Sequence, residues 1–140
     1  MNKSTETLAK ELRQVFRIEG FLEENKDEFI NKSLKEHLEY LINEKAVSKA
    51  DIIAKANIEK GYGYQIFKGI KNPSRDKIIA LAFAFGLTIE QTQRLLIISE
   101  TGELYPRSKR DSIIIFCINK QMSLVDTNIL LDEFSMYLID

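Results

Sequence analysis

Tryptophan is absent, and cysteine and histidine occur once each, as Cys117 and His37. A lone cysteine cannot close an internal disulfide, and inside the apolar run 113–118 it reads as a buried structural thiol. A lone histidine has no second ligand of the kind a zinc site needs, so no metal is assigned to it. No nucleophile stands beside a suitable base, and no glycine-rich phosphate loop follows a strand. Paired carboxylates such as Asp132 and Glu133 read as solvated helix surface. The expectation is therefore a protein that is not an enzyme, with no catalytic residue, metal or cofactor. Only two prolines interrupt the chain, and no useful stretch alternates polar with apolar residues as a strand does. No apolar run approaches the roughly 18 residues of a membrane span, and no signal peptide is visible. The chain reads as soluble and cytoplasmic, with no membrane partner.

What is present is helical. Hydrophobic residues make up 44% and charged residues 29% of the 140 positions, a profile that fits a globular domain rather than a disordered segment. Apolar residues fall at helical spacing nearly throughout, and Ser or Thr stands repeatedly three residues ahead of an acid or glutamine. Leu8, Leu12, Val15 and Phe16 predict a helix over 5–18, ended or bent by Gly20. Phe21, Leu22, Phe29 and Ile30 flank the acidic run EENKDE, read as a short helix or a loop. Residues 1–32 thus form a helical N-terminal arm, either packing on the rest or offering a dimer or partner surface. Ser33 with Glu36 predicts a capping box opening a helix through Leu34, Leu38, Leu41 and Ile42. After Asn72-Pro73, Ser74 caps a helix to Phe85 that Gly86 ends. Thr88 with Gln91 opens the next, to about Ser99. Ser108 with Asp111 caps a helix so apolar over 113–118 that it should lie at the centre of the fold or at an interface. Ser123 with Asp126 caps the last, read through Leu130, Leu131, Phe134 and Leu138. The expected organisation is an arm over 1–32, a core over 33–100 and a two-helix extension over 108–140, packed as one globular unit.

Positive charge is concentrated in one segment. Residues 1–44 carry a net −3, residues 45–77 a net +5 and residues 78–140 a net −3. Such a patch in a nearly neutral chain is the electrostatic footprint of a nucleic-acid-binding face. Within it lies KADIIAKANIEKGYGYQIFKG, Lys49 to Gly69. Ser48 and Asp51 cap a short helix whose stripe is Ile52, Ile53 and Ala56. Asn57 suits a left-handed turn, Ile58 is apolar again, and a second short helix runs to Gly69. Two short helices joined by a tight turn form a helix-turn-helix, whose second helix enters a DNA major groove.

Two glycines in that second helix need a reason, since each costs about 1 kcal/mol relative to alanine. Gly63 should face Ile53, a small residue opposite a bulky one. Gly61 would allow close approach of a phosphate or of another backbone. With Ile66 and Phe67 turned inward, Lys60, Gly61, Tyr64, Gln65 and Lys68 face outward. Gln65 can bond an adenine edge bidentately, and Lys60 and Lys68 can meet guanine or phosphate. Tyr64 offers a stacking surface or a phosphate hydrogen bond, whereas Tyr62 reads as packing. Lys49 is placed for a phosphate contact at a helix N-terminus. Lys71, Arg75 and Lys77 extend the positive strip.

Residues 34–97 resemble the phage-repressor/Cro-type (XRE-like) helix-turn-helix family. The likeness is carried by the Lys49–Gly69 unit with its turn at Asn57-Ile58, by KGIKNPS and by LAFAFGLTIEQ. The wider chain is similar to a group of bacterial regulators with YGYQIF, KNPSRDK, LYPRSKRD and TNILL. The resemblance implies an all-α fold, a five-helix repressor-like core with the helical arm and the two-helix extension. It implies sequence-specific binding of double-stranded DNA by a transcriptional regulator, most simply a repressor. Lys49 would then touch phosphate, and Lys60, Tyr64, Gln65 and Lys68 would read the groove. A homodimer is expected, because such units read two half-sites about one helical turn apart. The alternative is a protein–protein adaptor that uses the same helical fold without DNA, meeting its partner through the arm or through residues 108–138.

Overall fold

The computed structural model describes residues 3–29 and 32–140. Among them the chain forms nine α-helices and no strand. It divides into two compact units, Met1–Asn31 and Lys32–Asp140.

The first unit contains α1 (Thr5–Gln14), α2 (Ile18–Glu24) and a 3-10 turn, Lys26–Glu28. Ser4 caps α1 by accepting the Thr7 N–H. The break falls earlier than the sequence suggested. Val15 turns extended, and Gly20 lies inside α2 instead of ending a helix. The physical gain is inward placement of Phe21, which is buried and meets Phe29 edge-on at 6.1 Å. Asn25 is buried beside it, donating to the Phe21 carbonyl and the Glu11 carboxylate, while Lys3 donates to both Asn25 and Glu11. Ile30 lies outside the described residues.

The second unit comprises α3 (Leu34–Lys45), α4 (Lys49–Lys55), α5 (Lys60–Phe67), α6 (Arg75–Phe85), α7 (Ile89–Ile98), α8 (Lys109–Asn119) and α9 (Leu124–Glu133). Ser33, Ser48, Ser74, Thr88, Ser108 and Ser123 each accept the backbone N–H three residues on. Each such cap stabilises its helix by about 1 kcal/mol. Thr88 and Gln91 complete a reciprocal capping box. Ser33 and Glu36 do not, because the Ser33 hydroxyl donates to the Glu36 carboxylate and turns it away from the backbone. All seven helices end on a left-handed residue: Ala46, Asn57, Gly69, Gly86, Glu100, Gln121 and Ser135. After each, the next N–H reaches back five residues, as from Ile58 to Ile53 (3.2 Å) and from Leu87 to Ala82 (3.0 Å). These are Schellman closures, and they reverse the chain within a few residues.

The centre of the unit is α6. Ile78, Ile79, Ala80, Leu81, Ala82 and Phe85 are all buried, and the helix packs on α4, α7 and α9. Its alanines let neighbours approach from several sides. Helix α8, expected at the centre or at an interface, is less buried than α6: it buries Ile114, Cys117 and Ile118 but leaves Phe116 half exposed. Consecutive bulky residues on one helix cannot all face the same core. Burial pushes the Cys117 thiol up, against a hydrogen bond with Thr127 that lowers it, so the thiol stays protonated and inert. The last helix stops at Glu133, short of the expected 138. Beyond it the chain folds back, with Asn128 bonded to both the N–H and C=O of Ile139, and Arg110 donating to the Tyr137 and Leu138 carbonyls. Among the described residues no helix is long and apolar enough to cross a membrane.

Candidate nucleic-acid interface

The α4–α5 pair is built by shape. Ser48 starts α4 and its inner side carries Ile52 and Ile53, both buried. The connection runs from Ala56 to Glu59, with Asn57 at φ 55° turning the chain and Ile58 buried. Opposite Ile53 stands Gly63. A Cβ there would lie 2.5 Å from the Ile53 Cγ2, closer than side-chain carbons come. The bulky-on-small exchange expected from the sequence is thus what lets the two helices close.

At the head of α5 the cap is Glu59, which sequence reasoning passed over. Its carboxylate accepts the N–H groups of Gly61 (2.9 Å) and Tyr62 (2.8 Å). Those bonds, from Tyr62 and then Gly61, hold the Glu59 carboxyl below its ordinary pKa. A Cβ on Gly61 would sit 3.3 Å from the Glu59 carboxylate oxygens. The space at Gly61 therefore accommodates the cap, where the sequence suggested room for a phosphate or another backbone. The helix terminus already holds a negative charge that satisfies its N–H groups and faces its dipole. An acid immediately before the helix was the available signal.

Lys60, Gly61, Tyr64, Gln65 and Lys68 occupy one side of α5, at intervals of one, three and four residues. Lys60, Gly61, Gln65 and Lys68 are exposed, and so is Lys71 just beyond the helix. Tyr64 is half-buried and packs against the core, as does Tyr62. The other predicted residues are engaged elsewhere. The Lys49 ammonium pairs with Glu39 of α3 at 2.5 Å and lies 5.9 Å from the Phe67 ring centre. Arg75 turns away from α5: it makes a bidentate pair with Asp111 (3.0 and 2.7 Å) and donates to the carbonyls of Gly102 and Glu103. With its donors satisfied there, Arg75 is a brace between α6 and α8. Lys77 is half-buried and, with Lys55 and Asn57, lines a cavity of about 430 Å³ among α4, α6 and α9. The structure thus gathers Lys60, Gln65, Lys68 and Lys71 on and beside one helix, with Ile70 exposed between them, and separates Arg75 from them.

The brace has a second half. Arg110 reaches Asp76 at 3.2 and 3.0 Å. Burial raises the Asp111 carboxyl, but the hydrogen bonds from Arg75 and from the Tyr105 N–H, with the charges of Arg75 and Arg110, together hold it below its usual value. No family model, curated protein or solved structure matches the chain significantly.

Proposed function

We propose that the protein is a sequence-specific DNA-binding regulator, with α5 as the helix that enters the major groove. The reading takes α3 to α7 as a five-helix repressor-like core of the XRE-like kind, residues 1–32 as an arm and α8–α9 as an extension. The observation that carries it is the exposed side of α5. Lys60, Gln65 and Lys68 stand free of ion pairs among the described residues, on a helix held to α4 by the Ile53–Gly63 contact. Gln65 supplies the bidentate amide that suits adenine, and Lys60, Lys68 and Lys71 supply counter-charges for phosphate. Glu59 keeps the α5 terminus from being an anion site, so phosphate affinity on this reading comes from lysine side chains. Lys49 reaches phosphate only by leaving Glu39, an exposed pair worth about 1 kcal/mol or less. Two copies would read paired half-sites as a homodimer, and repression by occlusion is the simplest outcome.

The test is selection of bound fragments from a random-sequence DNA pool, then fluorescence anisotropy on the enriched site. Affinity is expected to fall steeply with salt as counterions are released. Gln65→Ala is expected to cost about 1–3 kcal/mol on that site and to relax preference at one base step. Equal binding by a Lys60, Gln65 and Lys68 triple-alanine variant would sink the reading. A second reading, an adaptor that binds protein, is favoured by a different observation: Phe116, Val125, Ile129 and Tyr137 of the α8–α9 region are each more than half exposed. A selection that enriches no DNA, together with a stable co-purifying partner, would favour it.

A further inference from the structure

The first unit, α1 and α2, is helical but short of a core. Among its described residues it buries one apolar side chain, Phe21, and α1 buries none. Units below about 40 residues seldom bury enough surface to stand alone, and most rely on disulfides, a metal or association. The unit contains no cysteine. Apolar surface is nevertheless present in quantity: Leu12, Val15, Ile18 and Leu22 are each 40% or more exposed, and Phe16 is wholly exposed. Leu8 and Leu12 stand one turn apart on α1, Ile18 and Leu22 one turn apart on α2, and Val15 and Phe16 occupy the corner between the helices. The Lys3, Glu11 and Asn25 side chains bond to one another and tie α1 to the end of α2, so the strip is presented by a single piece.

We propose that this strip is the contact of a homodimer in which the first units of two copies pair about a two-fold axis, α1 of one on α2 of the other. Charge selects the occupant. Lys10 and Arg13 on α1 and Arg17 at its end are exposed, whereas α2 contains Glu19, Glu23 and Glu24 and no base. In a two-fold contact the same patches meet twice, so the bases of each α1 face the acids of the other α2 in both directions. An anionic membrane or nucleic acid would attract α1 but be repelled by α2. The inference supplies the contact for the homodimer of the proposed function. It is measured without DNA, so a failure of either reading leaves the other standing.

Sedimentation velocity of the full chain over about 5–200 μM should show a reversible monomer–dimer equilibrium with a micromolar dissociation constant. Phe16 is wholly exposed, so Phe16→Asp should leave the circular dichroism spectrum unchanged while weakening the dimer about tenfold or more, as loss of an apolar anchor does. The charge arrangement has its own test. A chain with Lys10→Glu and Arg13→Glu carries acids on both helices, and one with Glu23→Lys and Glu24→Lys has bases on both. Each variant should self-associate less than the wild type, and an equimolar mixture should recover the dimer as a heterodimer. A merely structural role for these exposed charges would not give that recovery. Monomer throughout, a dimer that Phe16→Asp leaves intact, or a mixture that stays monomeric would overturn the proposal. So would monomeric wild type that floats with phosphatidylglycerol vesicles, which would assign the strip to a membrane surface.

Discussion

At the α4–α5 joint the helices are locked by volume, Ile53 seated in the space that Gly63 leaves, and the lysines of α5 point outward. At the α6–α8 joint the arrangement is reversed. Arg75 grips Asp111, Arg110 grips Asp76, and the apolar Phe116 of α8 points outward. The side chains of the Arg75–Asp111 pair are only 28% and 8% exposed, so its partners depend on each other in a way exposed pairs do not. Both joints draw on the same positive segment, residues 45–77. Charge placed inside holds elements together; charge left outside is available to a partner. A net charge counted along the sequence cannot separate the two uses.

The charged joint is most vulnerable at Asp111. Asp111→Ala leaves Arg75 partly buried without its counter-charge and removes the acceptor for the Tyr105 N–H. A loss of about 3 kcal/mol is expected, the low end of the range for a buried pair because Arg75 keeps some exposure. Urea denaturation followed by circular dichroism would measure it, and a loss under 1 kcal/mol would show that the brace is ornamental.

The shape lock is tested by Gly63→Ala, which drives a methyl group into Ile53. Overpacking of this kind costs about 1–3 kcal/mol. Combining it with Ile53→Ala should recover part of that loss, so the two effects should not add. Additive losses would mean that the glycine serves something other than the helix contact.

A pH series separates the charged groups further. The folded His37 pKa lies below its ordinary 6.5, so the unfolded chain binds the extra proton first. Stability should therefore decline as pH falls below about 6.5. Asp111 has a depressed pKa, so its contribution holds above the ordinary carboxylate value and is lost as pH falls through the folded one. Two separate declines are expected in a thermal-melt series from pH 7 to pH 2, and His37→Gln should flatten only the upper one.

The smallest stability effect belongs to the outward lysines. A Lys60, Lys68 and Lys71 triple-alanine variant should change folding stability by no more than about 0.5 kcal/mol, as surface substitutions do. On the proposed function the same variant should reduce the salt slope of DNA binding by roughly 0.9 for each phosphate that is no longer neutralised. A melting temperature that drops by many degrees would mean that these lysines support the fold.

Much of the helical layout was legible from local chemistry. Ser48, Ser74, Thr88, Ser108 and Ser123 each cap the helix they announce, and Gly86 and Asn57 end helices in the left-handed conformation that suits them. Capping involves residues three apart, so the sequence carries it directly. Ala46, Glu100, Gln121 and Ser135 end helices in the same way without any residue preference to signal it. There the left-handed backbone, which costs roughly 1 kcal/mol or more for a residue with a side chain, is accompanied by the Schellman hydrogen bonds alone. Of the candidate site, the α5 side was legible because its periodicity is local. The roles of Arg75 and Glu59 were not, since each looks like one more charge in a polar stretch.

The sequence by itself determined that the chain is helical, where most of its helices begin, that positive charge gathers over residues 45–77, and that Gly63 must stand opposite a bulky neighbour. These follow from propensity, capping and spacing, which act over a few residues. Only the tertiary structure decided which cations are buried and which are offered. Arg75 meets Asp111 across 36 positions and Arg110 meets Asp76 across 34. The same folding brought Lys32, which precedes α3, and His37 of α3 to one cleft with Gln91 and Arg94 of α7. A charge takes its role from what lies within a few ångströms of it, and those neighbours come from distant parts of the chain.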